Sequence, residues 1–262
     1  MASQYASRPA PKAETTPIPV IATRGWVTNG LPIIANVTQL FRWSGALLFL
    51  LSLLSFAVVY GWRLRTPAPP SDNARDAIAN VILFSVFALH HSVMARTGAK
   101  AWLTRLVPPQ LERSVYVWIA SLLFLGVCWM WQPLPGVVWQ TRGPGIVLYI
   151  AQAFGVALTI AAARIVGIWE LAGVAQPDPA KPIEFKVEGP FAIVRHPIYL
   201  GWVLMVFATP IMTTSQMLFA VTSTAYLVAA IPLEERSLLK THRDAYGAYQ
   251  KQMRWRLIPF VW

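Results

Sequence analysis

The stretch Glu188–Gly201, read as EGPFAIVRHPIYLG, ends a polar loop and opens a long apolar run. That run closes on an adjacent acidic pair, Glu234 and Glu235, which begins 33 residues after Gly201. Charged and hydrogen-bonding groups therefore stand at both ends of one apolar unit. Such groups are costly at membrane depth, and a functional role is the default reading of them. The bland alternative is interfacial anchoring, with Arg195 and His196 snorkelling to head groups. Pro197 suits the first turn of a helix, where a missing N–H costs nothing. Gly189-Pro190 lets the loop backbone approach a ligand closely. Glu234 and Glu235 follow Pro232, which frees backbone groups near the end of the run. Two adjacent carboxylates repel, and a cationic or hydroxyl-rich ligand relieves the repulsion. Pairing with Arg195 or Arg236 does the same without a ligand.

The rest of the chain has the composition of a polytopic membrane protein. Of 262 residues, 56% are apolar and only 13% charged, too greasy a balance for a soluble domain. Four further apolar stretches, at about 42–62, 77–95, 114–132 and 145–167, each suit one helical crossing of a hydrocarbon layer about 30 Å thick. The run 198–233 is too long for one crossing. Thr209-Pro210 and Thr213-Thr214 punctuate its middle, which predicts a helical hairpin of two spans. The expected fold is all-α: a polytopic transmembrane helical bundle of six spans, with five as the alternative. It ends in that hairpin and a cytosolic, cofactor-binding tail.

Residues 1–35, rich in Ala, Pro, Thr and Ser, are expected to form a disordered tail, leaving 36–262 as one transmembrane domain. The apolar piece Ile18–Ala22 is too short for a signal peptide. The segment from Ala172 to Val194 is the longest polar connection, and Pro177, Pro179 and Pro182 keep it out of helix. Beyond Glu235, Leu238, Leu239, Tyr246 and Tyr249 are interspersed with Lys240, Arg243 and Lys251. That pattern predicts a helix lying on the cytosolic membrane face.

Charge sets the orientation. With the N-terminus inside, 18 of 22 basic residues fall on the cytoplasmic side, and only Arg63, Arg65, Arg75 and Arg142 fall outside. Both termini are therefore expected in the cytoplasm, and Trp129, Trp131 and Trp139 are expected to mark the outer interface. The net charge of +11 does not indicate nucleic acid, because the basic residues flank apolar segments instead of forming one aromatic-laced patch. One cysteine, Cys128, rules out a disulfide framework within the chain. No G-x-G-x-x-G fingerprint follows a strand-like run. Four histidines without a helical H-x-x-x-H leave a metal site unsupported. His90 and His91 are adjacent near the inner end of the second span and point about 100° apart on a helix. One of them at most faces a given ligand. His91, beside Ser92, is the candidate for contact with substrate, and hydrogen-bonded packing is the alternative.

The G-P-F-x-x-x-R-H-P-x-Y-x-G stretch with the later Glu-Glu resembles the membrane methyltransferases related to isoprenylcysteine carboxyl methyltransferase and phospholipid methyltransferases. Further stretches resemble the bacterial methanethiol S-methyltransferases: FALHHSVMAR from Phe87 to Arg96, ERSVY from Glu112 to Tyr116, WQPL from Trp131 to Leu134, and IWELAG from Ile168 to Gly173. The resemblance implies S-adenosylmethionine as methyl donor. It also implies a small thiol as acceptor, or a lipid-like one in the related carboxyl and phospholipid methyltransferases, and a bacterial inner-membrane location. Carried onto this sequence, Gly189, Pro190, Phe191, His196, Tyr199 and Gly201 would line the cofactor site. Glu234 and Glu235 would hold its amino group or ribose hydroxyls, and Arg195 its carboxylate. Phe191 stands where similar members often carry Tyr, which removes a phenolic hydrogen bond. Gln often stands where His90 does, which argues against a base there. His91, His196 and an Arg195-stabilised ionisation are the candidates for activating a thiol. Loss of His196 or Glu235 is expected to abolish transfer while leaving the fold intact. Sterol reductases that use NADPH share a similar C-terminal layout, so a reductase, or a non-catalytic membrane protein, is the competing class.

Overall fold

The computed structural model describes residues 32–69, 72–94, 96–143, 145–175 and 187–262. The expected tail, apart from its last few residues, and the loop prolines Pro177, Pro179 and Pro182 lie outside the described residues. Among the described residues, five helices are long and apolar enough to cross a membrane. They are α1 (Pro32–Val58), α2 (Asn73–Met94), α4 (Glu112–Met130), α5 (Ile146–Val166) and α8 (Thr214–Thr241). Between them lie α3 (Thr97–Leu103), α6 (Ile168–Leu171) and the apolar α7 (Pro197–Phe207); α9 (Arg243–Gln252) follows. The chain is a multi-pass helical membrane protein.

The predicted hairpin is present, but its arms are unequal. α8 has 28 residues and α7 only 11, so α7 rises about 16 Å at 1.5 Å per residue. The chain then continues in extended form, because Pro210 has no N–H to carry a helix on. Extended backbone at this depth must find partners. Strand β2 (Ile211–Thr213) pairs antiparallel with β1 (Val137–Gln140), placing Thr213 opposite Val137 and Ile211 opposite Gln140. Pro210 O accepts from Thr141 N at 2.9 Å, and Thr209 O from Trp139 Nε1 at 3.0 Å. Thr213 then caps α8 reciprocally with Gln216: Gln216 N donates to Thr213 Oγ1 at 3.1 Å, and Thr213 N to Gln216 Oε1 at 3.2 Å.

The same two side chains reach α1. Gln216 Nε2 donates to Tyr60 O at 3.0 Å and Thr213 Oγ1 to Leu64 O at 2.5 Å. There the α1 ladder widens into a π-helical turn, Val59–Arg63, with Leu64 as its C-cap; the widening frees the Tyr60 carbonyl, and the Leu64 carbonyl lies past the last turn. Below it an aromatic core joins the helices. Phe56 stacks on Trp202 at 4.8 Å and on Phe219 at 5.5 Å, while Phe84 and Trp131 meet Phe219 edge-on at 5.5 and 5.2 Å. Trp131 is thus wholly buried and is not the interface marker expected from the sequence. Its neighbour Trp129 is exposed, and Trp139 is spent on the Thr209 carbonyl. Charge flanking cannot separate these roles, because all three tryptophans lie at the end of the same apolar run or just after it.

α5 and α7 cross with almost no space between their backbones. A Cβ on Gly201 would lie 2.2 Å from Thr159 Oγ1 and 2.6 Å from Gly155 O; one on Gly155 would meet Gly201 O at 2.6 Å. Small residues permit such approaches where lipid removes the hydrophobic drive for association. Gly201→Val is therefore expected to lower the detergent-phase melting temperature, at a cost of about 1–3 kcal/mol from overpacking. Adding Thr159→Ala should recover only part of the loss, since the Gly155 carbonyl remains in the way. Thermal denaturation of the single and double variants checks this.

Candidate active site

His196 occupies the N-cap position of α7, with Pro197 at the first helical residue. Upstream, Gly189 at φ +53° turns the chain into the short 3₁₀ piece Gly189–Ala192, a conformation that suits a residue without Cβ. The motif is held from behind by the last residues of the chain. Arg195 N donates to Trp255 O at 2.8 Å and His196 N to Arg256 O at 2.9 Å. α9 lies under the loop: Tyr246, Tyr249 and Met253 are buried with Phe191, Leu238, Leu239 and Trp255 packed around them. Tyr249 Oη donates to Phe191 O at 3.0 Å. Burial pushes the Tyr249 phenol up to about 12, so it remains a donor at neutral pH. The tyrosine spacing read from the sequence is this packing face.

The two ends of the α7–α8 hairpin meet. Arg195 Nε donates to Glu235 Oε1 at 2.7 Å, and its Nη1 to the carbonyls of Met253 and Arg254 at 2.8 and 2.9 Å. Glu235 is 3% exposed. Its second oxygen takes Arg256 Nε at 3.2 Å and Gln250 Nε2 at 3.4 Å. His196 lies between the acids, with Nε2 3.3 Å from Glu235 Oε1 and Nδ1 3.7 Å from Glu234 Oε2. Glu234 differs from its neighbour: its side chain is 39% exposed, and Tyr199 Oη donates to it. The Tyr199 ring lies over that of His196, with centroids 5.4 Å apart at 15°.

Five of the site residues singled out in the sequence, Arg195, His196, Tyr199, Glu234 and Glu235, thus form one cluster, with Gly189, Pro190 and Phe191 in the turn beside it. Gly201 sits at the α5 crossing, where its missing side chain is explained by the close approach of two backbones. His91 is on α2, and its Nδ1 lies 2.8 Å from Tyr116 Oη of α4. Tyr116 in turn lies within electrostatic reach of Glu234 and Tyr199. Arg96 Nη1 donates to Leu233 O at 2.9 Å, bracing the turn of α8 that carries the acids. Arg256, Gln250, Tyr116 and Arg96 were not assigned to the site from the sequence. The signal for Tyr116 and Arg96 was their place in the stretches ERSVY and FALHHSVMAR. Arg256 and Gln250 carried no signal beyond lying downstream of the last span.

The stretch that holds Arg195, His196, Tyr199, Glu234 and Glu235 points to a class. Residues 143–245 match a family model described as phospholipid methyltransferase. The chain is 36% identical to the methanethiol S-methyltransferase of Mycobacterium tuberculosis over 224 residues, 80% of this chain and 92% of that protein. It is 37% identical to that of Crocosphaera subtropica over 192 residues, 70% and 75% of the two chains. It is 34% identical to methanethiol S-methyltransferase 1 of Bradyrhizobium diazoefficiens over 245 residues, 88% and 85% of the two. No solved structure matches the chain significantly. The chain belongs to the methanethiol S-methyltransferase family of membrane methyltransferases.

The geometry separates the two acids by what each variant costs. Removing one partner of a buried ion pair strands the other charge, at about 3–5 kcal/mol. Glu235→Ala is therefore expected to destabilise the protein by that order, contrary to the expectation of an intact fold. Glu234→Ala, at a half-exposed carboxylate, should leave stability nearly unchanged. Thermal unfolding of both variants in the same detergent measures the difference.

Proposed function

We propose that the protein transfers a methyl group from S-adenosylmethionine to a small thiol, converting methanethiol to dimethyl sulfide. The convergence of Arg195, His196, Tyr199, Glu234 and Glu235 at one end of the α7–α8 hairpin is the observation that carries this reading. The names of the relatives supply the thiol. The donor set fits the cofactor: Glu234 offers an accessible carboxylate for an ammonium or ribose hydroxyls, and Gly189–Phe191 offers turn backbone beside it. When bound, the cofactor supplies an electrophilic methyl group on a sulfonium.

This chain's residues do the positioning. Glu234 orients the cofactor, and Tyr199 and His196 hold Glu234. Arg195 keeps Glu235 and the entrance loop in place; its Nε and Nη1 are already occupied, so we assign it to the scaffold of the site and not to the cofactor carboxylate. Transfer of the methyl group destroys a positive charge, and a site sheltered from water favours that change. We place this end of the bundle, with both termini, at the cytoplasmic face of a bacterial inner membrane. The placement of 18 of 22 basic residues on that side supports it.

A methyl-transfer assay with labelled cofactor tests the reading across methanethiol, a prenylcysteine and a phospholipid. Label is expected in dimethyl sulfide; label in the phospholipid alone would replace the thiol by the acceptor class of the matched family model. Glu234→Gln is expected to weaken equilibrium binding of S-adenosylhomocysteine by about 10- to 100-fold, the loss of one charge-assisted hydrogen bond.

A further inference from the structure

The thiolate, not the thiol, is the nucleophile, so a small alkyl thiol must lose its proton at the site. His196 is flanked by Glu234 and Glu235 and is committed to them. His90 is poorly placed to take that proton, because its two ring nitrogens are occluded and unbonded among the described residues, and its ring lies flat on Tyr116, at 5.9 Å and 14°. His91 is different. It is exposed, so a proton taken up there has water to leave to. Its Nδ1 meets Tyr116 Oη at 2.8 Å. Tyr116 meets the rings of His90 and His91 from α2, and Glu112, Arg113, Tyr199 and Glu234 lie within electrostatic reach of it. Its hydroxyl thus holds the His91 imidazole within reach of the charge on the carboxylate assigned to the cofactor.

Resting on the thiol reading above, we propose that Tyr116 is the catalytic residue that meets the thiol and that His91 is the base behind it. The Tyr116 oxygen accepts the thiol proton as its own proton passes to His91 Nδ1. The freed sulfur lone pair forms the new carbon–sulfur bond. The donor's carbon–sulfur bond breaks with its electron pair left on the departing sulfur, giving a neutral thioether. The proton then leaves His91 for water, so one proton is released per methyl transferred. His91 thus acts through Tyr116 and not by direct contact with the acceptor.

The test uses the full-length protein and two isosteric acceptors, methanethiol and methaneselenol, the latter already ionised at neutral pH. Tyr116→Phe is expected to lower kcat with methanethiol about 100-fold, the usual worth of a positioned acid–base group, and to leave kcat with methaneselenol within about twofold. His91→Asn should behave alike. Binding of S-adenosylhomocysteine should be unchanged in both, which reports an intact fold. The ultraviolet absorbance of bound thiolate, formed by methanethiol on protein loaded with S-adenosylhomocysteine, should be present in the wild type and absent in Tyr116→Phe. Equal losses with both acceptors, or no loss with methanethiol, would overturn the assignment. Turnover of neither acceptor by the wild type would overturn the thiol reading and this inference together.

Discussion

The buried contact between Arg195 and Glu235 is the constraint on which the rest of the site depends. One guanidinium ties together three segments: its own loop, the end of α8 40 residues away, and the chain's last stretch 58 residues away. Burying such a pair is costly, and attraction alone need not offset the desolvation. The remaining hydrogen-bonding capacity must also be used. Here Met253 and Arg254 offer carbonyls to the cation, and His196, Gln250 and Arg256 offer N–H groups to the anion. With Glu235 fixed, Glu234 on the next position of the same helix turns outward. The division between a structural and a solvent-facing acid follows from the roughly 100° step between adjacent helical residues.

Lipid as solvent explains the membrane half of the architecture. Apolar side chains gain nothing by leaving hydrocarbon for one another, so contact quality decides which helices associate. The Gly155–Gly201 crossing and the rings around Phe219 are two ways of obtaining it. Among the described residues, two departures from helix are answered by hydrogen bonds. The π turn in α1 offers Tyr60 O to Gln216, and the extended piece after α7 is closed by β1. Irregular backbone is tolerated here where its polar groups find such partners.

Much of this was legible in the sequence, and the reasons for the exceptions are physical. The long apolar runs and the break at Thr209-Pro210 carry the helix count, since length and a missing N–H act locally. The unequal hairpin was not legible, because nothing local says that Ile211–Thr213 will pair with Val137–Gln140, a strand on the far side of α5 and α6. Trp131 was misplaced for the same reason: burial depends on Phe219, far along the chain. The meeting of Arg195–Tyr199 with Glu234–Glu235 was legible as two polar ends of one apolar unit. Their split into a buried and an accessible acid was not, because it rests on Gln250 and Arg256, whose part in the site no motif signals. The packing role of Gly201 was not legible either, because nothing local marks Gly155 and Thr159 as its neighbours.

The carbonyls that accept Arg195 and His196 belong to residues 253–256. These residues lie after all five long helices described here. A chain cut after Gln252 would still contain those five helices and would lose every backbone carbonyl that accepts from Arg195 and His196.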